Sequence, residues 1–405
     1  MSDRLETNAR RALGRVHPPD EAGARERAWA TVRTAYRDRP APVPARARPR
    51  LALAPIAAVV IGAIAFSPAG AAVKRFINRA LSSPHISYAP ALSLPAPGRI
   101  LLSNAQGTWV VSAHGSVKRL GAWTQANWSP RGKFLAVASA GTLAAIDPTG
   151  RLAWRLSERA VGDPRWYSPS GYRVAYRSGG GLREVAGDGR SDHLLAARVA
   201  PIAPAWRPGH AYQLGYATRR GAVVVRDGDT GIGVWHSGPH PGRPLVLSWS
   251  PDGTRLVLVT SAGAWLYLPG QAPPLRITLP VRGPVMGAAV SPDGRWLAVV
   301  SGSSAPRHQG GATTPQLQLA DLTAPTRPTR TVLSGIPVSQ PTWAPNSAWL
   351  LVTWPAADQW WFVHATGRGG RSGRARIIAE SRVAAKLGPG GRSGPLRLDG
   401  WCCSP

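Results

Sequence analysis

The chain has 405 residues, of which 45 are Gly and 40 are Pro, with 43% apolar side chains. That length holds a sizeable core, and so many turn formers at that apolar content exclude both a disordered and a mainly helical chain. Basic residues outnumber acidic ones by 49 to 20, a net charge of +29 that favours anionic partners unless it only reflects a general Arg bias.

At the front, Leu5, Ala9, Ala12, Leu13 and Val16 recur at helical spacing, as do Ala28, Trp29, Val32, Ala35 and Tyr36. Residues 1–50 therefore read as a basic head of two short amphipathic helices, which either docks on a partner or merely fixes topology. Residues 51–73 follow without a single charge. A helix of that length crosses a hydrocarbon core of roughly 30 Å, although Pro68 is expected to kink or end it.

Arg33, Arg37, Arg39, Arg46, Arg48 and Arg50 precede this span, against Lys74, Arg75 and Arg79 after it. The excess in front places the N-terminus in the cytoplasm and exports the remainder. A signal peptide cut near Ala69–Ala71 is one rival, with the same export, and a buried core helix is another. Residues 74–97 read as a juxtamembrane helix and a Pro-rich linker.

From residue 98 onward the chain repeats one turn. The copies are Trp128–Gly132 (WSPRG), Tyr167–Gly171 (YSPSG), Trp206–Gly209 (WRPG), Trp249–Gly253 (WSPDG), Val290–Gly294 (VSPDG) and Trp343–Ser347 (WAPNS). Their prolines, Pro130, Pro169, Pro208, Pro251, Pro292 and Pro345, stand 39, 39, 43, 41 and 53 residues apart. A period near 40 marks stacked four-strand units.

The motif has a mechanical reason. Proline presets the first turn dihedral, Asp252 or Asp293 bonds its own backbone, and Gly132, Gly253 or Gly294 supplies a left-handed residue. The bulky residue in front, usually Trp, is expected to wedge between sheets with its N–H reaching a partner. An apolar strand follows each turn, then a third and a fourth strand, which is the make-up of a propeller blade.

The extremities of this region decide the blade count. Ile100–Leu120 supplies second, third and fourth strands without a first, and Leu396–Trp401 is a first strand with nothing after it. Pairing them makes a seventh blade and leaves no open edge; the alternative is six blades with a frayed end. The expected fold is thus an all-β, seven-bladed propeller over residues 98–405.

The W-S-P-D-G turn with its following apolar strand resembles the WD-repeat-like β-propeller repeats of TolB-type periplasmic proteins. Ser250–Gly253 and Ser291–Gly294 match fully, whereas the other copies depart at Asp or Ser and Asn346-Ser347 lacks the Gly. The resemblance implies a platform for protein binding.

Chemistry on a propeller gathers at the innermost strands. In the six complete copies those strands hold one acid, Asp163, with Gln125 and Gln340 as further polar candidates and no His. No metal site or cofactor is expected. The closest histidines, His236 and His240, lie in one loop, and Asp227-Gly228-Asp229 reads as a turn rather than a calcium loop. Trp354, Trp360 and Trp361 offer either blade packing or an aromatic binding surface.

Two insertions, Ser301–Pro315, which contains Arg307 and His308, and Arg382–Pro395, lengthen connections on one rim. Binding loops grow on rigid scaffolds in this way. The adjacent Cys402 and Cys403 exclude a distributed disulfide framework and cysteine-rich zinc sites, and either join in a vicinal disulfide or stay apart as small apolar residues.

The functional expectation is a membrane-anchored, extracytoplasmic, non-enzymatic binding module for a protein or an anionic envelope polymer. Nucleic acid is not expected, because no basic run alternates with aromatic residues. Two alternatives stand beside it: a propeller hydrolase or lyase on an anionic polymer, and a transmembrane regulator whose head holds a cytoplasmic factor.

Overall fold

Each repeated turn closes a hairpin, and in three copies its serine makes the same pair of bonds. Ser129, Ser250 and Ser291 exchange main-chain hydrogen bonds across the turn, and their Oγ atoms accept from the N–H groups of Phe134, Arg255 and Trp296 at 3.0, 3.0 and 2.8 Å. Gly132, Gly253 and Gly294 take left-handed φ of 62°, 66° and 69°, as the turn geometry demands. In the sixth copy Ser347 adopts φ 55° without a glycine.

The computed structural model describes residues 86–88, 92–271, 273–279, 283–302, 315–365, 376–392 and 394–403. The expected head and membrane span lie outside them. Among the described residues no helix is long and apolar enough to cross a membrane.

After a short β1 (Ile86–Tyr88), β2 (Arg99–Asn104), β3 (Gly107–Val111) and β4 (Val117–Gly121) begin the ring. Blade one comprises β5 (Gln125–Trp128), β6 (Leu135–Ser139), β7 (Thr142–Ile146) and β8 (Leu152–Ser157); blade two β9 (Gly162–Trp166), β10 (Arg173–Ser178), β11 (Gly181–Ala186) and β12 (His193–Ala196). Blade three holds β13 (Ala205–Trp206), β14 (Gln213–Ala217), β15 (Val223–Asp227) and β16 (Gly233–His236); blade four β17 (Pro244–Trp249), β18 (Leu256–Thr260), β19 (Gly263–Tyr267) and β20 (Leu275–Ile277). Blade five holds β21 (Val285–Val290), β22 (Trp296–Ser301), β23 (Gln316–Asp321) and β24 (Arg330–Ser334); blade six β25 (Thr342–Trp343), β26 (Trp349–Trp354), β27 (Gln359–His364) and β28 (Ile377–Ser381).

The last strand, β29 (Arg397–Cys402), pairs antiparallel with β2 and supplies the inner strand of the closing blade, in the order β29-β2-β3-β4. Each innermost strand touches the next, from β29 through β5, β9, β13, β17, β21 and β25 back to β29. The fold is a closed, seven-bladed β-propeller of four-stranded antiparallel blades, and the seven-blade count is the correct one.

Three of the wedge residues behave as expected, whereas Nε1 of Trp128 and of Trp166 is buried without a partner. Trp206, Trp249 and Trp343 are buried between sheets, and their indole N–H groups donate to the carbonyls of Arg165, Ala205 and Ala289 on the preceding inner strand at 2.9, 3.1 and 3.0 Å. The second copy needs a correction: its wedge is Trp166, which precedes Tyr167. An extra residue in that turn moves Tyr167 into the place of Ser129, where its N–H pairs with the carbonyl of Arg173.

Part of the expected linker is built into the ring. Ile86–Tyr88 pairs in parallel with β28, covering the outer edge of blade six with a fifth strand. Leu92 and Ala96 are buried in a cluster with Leu102, Trp109 and Trp401. At the other end, Cys402 and Cys403 are joined as a vicinal disulfide. It packs against Gly132, where an added Cβ would lie 2.8 Å from Cys403 Sγ.

Candidate functional site

Gln125 opens β5, Asp163 is the second residue of β9 and Arg397 opens β29, so the ring brings these three to one mouth of the axial channel. Gln125 Oε1 accepts from the Asp163 N–H, and Asn127 Oδ1 accepts from the Trp166 N–H at 3.1 Å. These side chains stitch blade one to blade two. Asp163 sits there in a left-handed conformation, φ 51°, which its partners hold in place.

Its carboxylate is fully engaged. Oδ2 accepts from Arg177 Nε at 2.8 Å and lies 2.7 Å from Nη2, while Oδ1 accepts from Arg397 Nη2 at 3.4 Å. Arg397 also pairs through Nε with Asp399 Oδ1 at 3.0 Å. Burial pushes Asp399 up to about 6, helped by the negative charge of Asp163 and opposed by Arg397, Ser103 and Arg165. Burial lowers Arg165, with Asp163 and Asp399 acting in the opposite direction.

Three guanidiniums and two carboxylates thus occupy the mouth, one positive charge in excess. Such a set repels a cation and attracts an anion. It presents no nucleophile paired with a base, and among the described residues no three His, Cys, Asp or Glu side chains are grouped to hold a metal ion. Gln340, three residues before Trp343 as Gln125 is before Trp128, packs against Gly287 of blade five. Arg307 and His308 lie outside the described residues.

Arg165, Arg177, Arg397 and Asp399 escaped the sequence reading. Arg177 belongs to a second strand, and only the β9–β10 register turns it towards Asp163. Arg397 and Asp399 stand in the closing strand β29, which carries no copy of the repeated turn to mark them as axial.

Beside this cluster opens a cleft of about 720 Å³. Its walls are Trp354 at the end of β26, Pro355 in the connection that follows and Trp360 in β27, with Ala384 and Ala385 from the insertion after β28 and Leu396 just before β29. The connection from β26 to β27 and the insertion after β28 therefore open on one rim, while most of Ser301–Pro315 lies outside the described residues. The insertion folds as a short helix, α1 (Val383–Lys386), and a 3-10 turn (Pro389–Arg392).

Polar ties hold the insertion down. The Ala384 N–H donates to Asp358 Oδ1 at 2.8 Å, Asn104 Nδ2 donates to the Gly390 carbonyl at 2.9 Å, and Lys386 Nζ donates to the buried Glu380 at 3.0 Å. Leu396 ends the wall and Arg397 follows it, so cleft and charged cluster adjoin. Trp360 and Trp361 are fully buried, and Trp354 meets Trp361 edge to face at 6.1 Å; packing is the main work of this trio.

Other residues singled out in sequence are structural. Asp227 Oδ1 accepts from the N–H and Oγ1 of Thr230 at 2.8 and 2.9 Å, a turn, and His240 lies against Trp265 at 4.6 Å between ring centres.

No family model matches the sequence, and no curated relative does. Among solved structures, a chain of the mitotic checkpoint complex is similar at 18% identity and a TM-score of 0.50, over 60% of this chain and 73% of that one. Hydrazine synthase of Kuenenia stuttgartiensis has 12% identity and a TM-score of 0.47, over 59% of this chain and 76% of that one. These likenesses concern the fold alone.

Proposed function

We propose that this chain is a non-enzymatic binding module, held to a membrane by residues 51–73 with its propeller outside the cytoplasm. It engages a protein or an anionic envelope polymer at the axial mouth and the adjoining cleft. The carrying observation is the meeting of a preformed apolar cleft with a cluster that has one guanidinium in excess: apolar wall and charged edge together fit a macromolecular ligand. The TolB-type likeness of the turns and the uncharged run at 51–73 favour export.

Two measurements test this reading. Pull-down with the full chain from crosslinked envelopes is expected to recover a partner that is lost on Ala385→Trp, which fills the cleft, without a change in melting temperature. Protease added to intact spheroplasts should digest the propeller and spare the head. Recovery unaffected by Ala385→Trp would move the site elsewhere, and a protected propeller would refute the topology.

A further inference from the structure

The opposite face of the ring carries a second surface. The turns of blades one and two enclose a hollow of about 600 Å³ lined by Phe134, Tyr172, Trp166, Arg131, Lys133 and Arg173, among others. Phe134 is 40% exposed and Tyr172 65%. Large aromatic rings left in water beside a buried Trp floor mark a contact surface rather than a core.

The main chain that carries the rings is held in place. Phe134 is fixed on both sides by Ser129, whose N–H donates to the Phe134 carbonyl at 2.9 Å and whose Oγ accepts from the Phe134 N–H at 3.0 Å. The Tyr172 carbonyl accepts from the Gly187 N–H at 2.8 Å. Gly187 lies on the Trp166 ring, where an added Cβ would meet the ring at 3.4 Å and the Gly171 carbonyl at 2.5 Å. A main chain already fixed, bearing side chains with few rotatable bonds, loses little entropy on binding.

The charge of this face departs from the repeat. Where the fourth and fifth copies of the turn carry Asp252 and Asp293, the first carries Arg131. In those copies the Asp serves the turn, accepting from the Ser250 and Ser291 hydroxyls, so the turn gains nothing from Arg131 and Ser129 closes it alone. Arg173 is occupied by Glu184 and Asp229. Arg131 and Lys133 are exposed, and among the described residues neither has an ion pair, whereas the one acid of the lining, Asp188, accepts from the Arg190 N–H and pairs with the Arg190 guanidinium at 4.0 Å.

We infer that this hollow docks an acidic segment of a partner protein, carrying one aromatic or aliphatic anchor that inserts between Phe134 and Tyr172 against Trp166. Charge complementarity selects the occupant. A second copy of a chain with net charge +29 would be repelled, and a nucleic acid held firmly needs a longer track of cations than two. The inference rests on the binding-module reading but places a site on the face away from the cleft.

A random peptide library displayed on phage and panned on the detergent-solubilised full chain tests it. Selected peptides are expected to carry Asp or Glu around a single Trp, Phe or Leu. A synthetic selected peptide should lose ~10-fold or more in affinity on Phe134→Ser with Tyr172→Ser. It should lose at least as much on Arg131→Glu with Lys133→Glu, and a Lys-flanked version of the peptide should regain affinity for that charge-reversed protein.

Unchanged melting temperatures keep these surface variants interpretable, and Ala385→Trp should leave peptide affinity as it was. Failure to enrich any peptide, enrichment without acidic residues, or equal binding by both double variants overturns the proposal. So does tight binding of a single-stranded oligonucleotide that the same variants abolish. Peptide binding lost on Ala385→Trp alone would sink this site while leaving the binding-module reading intact.

Discussion

Arg397 Nη2 meets Asp163 Oδ1 at 3.4 Å across the axial mouth, although 234 residues separate them in sequence. The contact reaches from the closing blade past blade one to blade two. It makes the last strand an electrostatic keystone as well as a zipper, because Arg397 is also the ion-pair partner of the buried Asp399.

Removal of Arg397 should therefore cost more than one surface pair. Arg397→Ala leaves Asp399 buried beside the negative Asp163, and breaking such a pair typically costs about 3 kcal/mol. Urea titration is expected to show a loss of that order at pH 8. The double variant Arg397→Ala with Asp399→Asn should recover most of it; a double variant as unstable as the single one would show that packing, not the orphaned charge, sets the effect.

The ring depends on β29 in a second way. Without residues 397–405 the β2 edge is unpaired and the Trp401 site, part of a cluster with Trp109, Leu102 and Phe362, is empty. An open edge of this kind invites strand addition by other chains. The truncated protein is expected to melt at least ~10 °C lower, since a lost large aromatic alone costs about 3 kcal/mol or more, and to aggregate in light scattering. A melting temperature equal to that of the intact chain would contradict the closed ring.

The indole bonds between blades can be weighed against each other. Trp343 Nε1 donates to the Ala289 carbonyl at 3.0 Å, whereas the buried Nε1 of Trp166 has no partner. Replacing either by Phe removes similar ring area, but only Trp343→Phe leaves a partly buried carbonyl, that of Ala289, short of its donor. The Trp343 variant should lose about 1 kcal/mol more than the Trp166 variant. Equal losses in parallel denaturation curves would assign the wedge's contribution to area alone.

Much of this architecture was legible because a propeller writes its period into its turns. The Trp-Ser-Pro-Asp-Gly spacing announced the blades, and the unmatched strand at each end of the region announced the closure. What stayed hidden depends on register. A single inserted residue exchanged the roles of Trp166 and Tyr167. Asp399 lies at a bulge, where the pairing shifts between Leu101 opposite Gly400 and Leu102 opposite Leu398, and alternation along the strand does not place such a residue. Ile86–Tyr88 is too short to declare itself a strand, and only the β28 edge makes it one.

The pH response follows chiefly from two buried carboxyls; burial also raises a third, Glu380, against the pull of Lys386. Burial pushes Glu184 up to about 7, with Asp229 and Asp227 adding to the rise and His193 and Arg173 opposing it; Asp399 is raised to about 6. Both fold with a higher proton affinity than they have when unfolded, so the native state binds more protons between roughly pH 4 and 7. Their contribution is complete below the unfolded values and is lost as the pH rises through the folded ones. Asp252, held down to about 2 mainly by the Ser250 hydroxyl, acts oppositely and only at lower pH. Stability by urea denaturation is thus expected to fall from pH 5 to pH 8, by on the order of 2 to 3 kcal/mol for Glu184 alone. Glu184→Gln should flatten most of that slope and raise stability at pH 8. A slope unchanged in this variant would mean that Arg173, at 3.0 Å from Oε1, keeps the carboxylate ionised throughout.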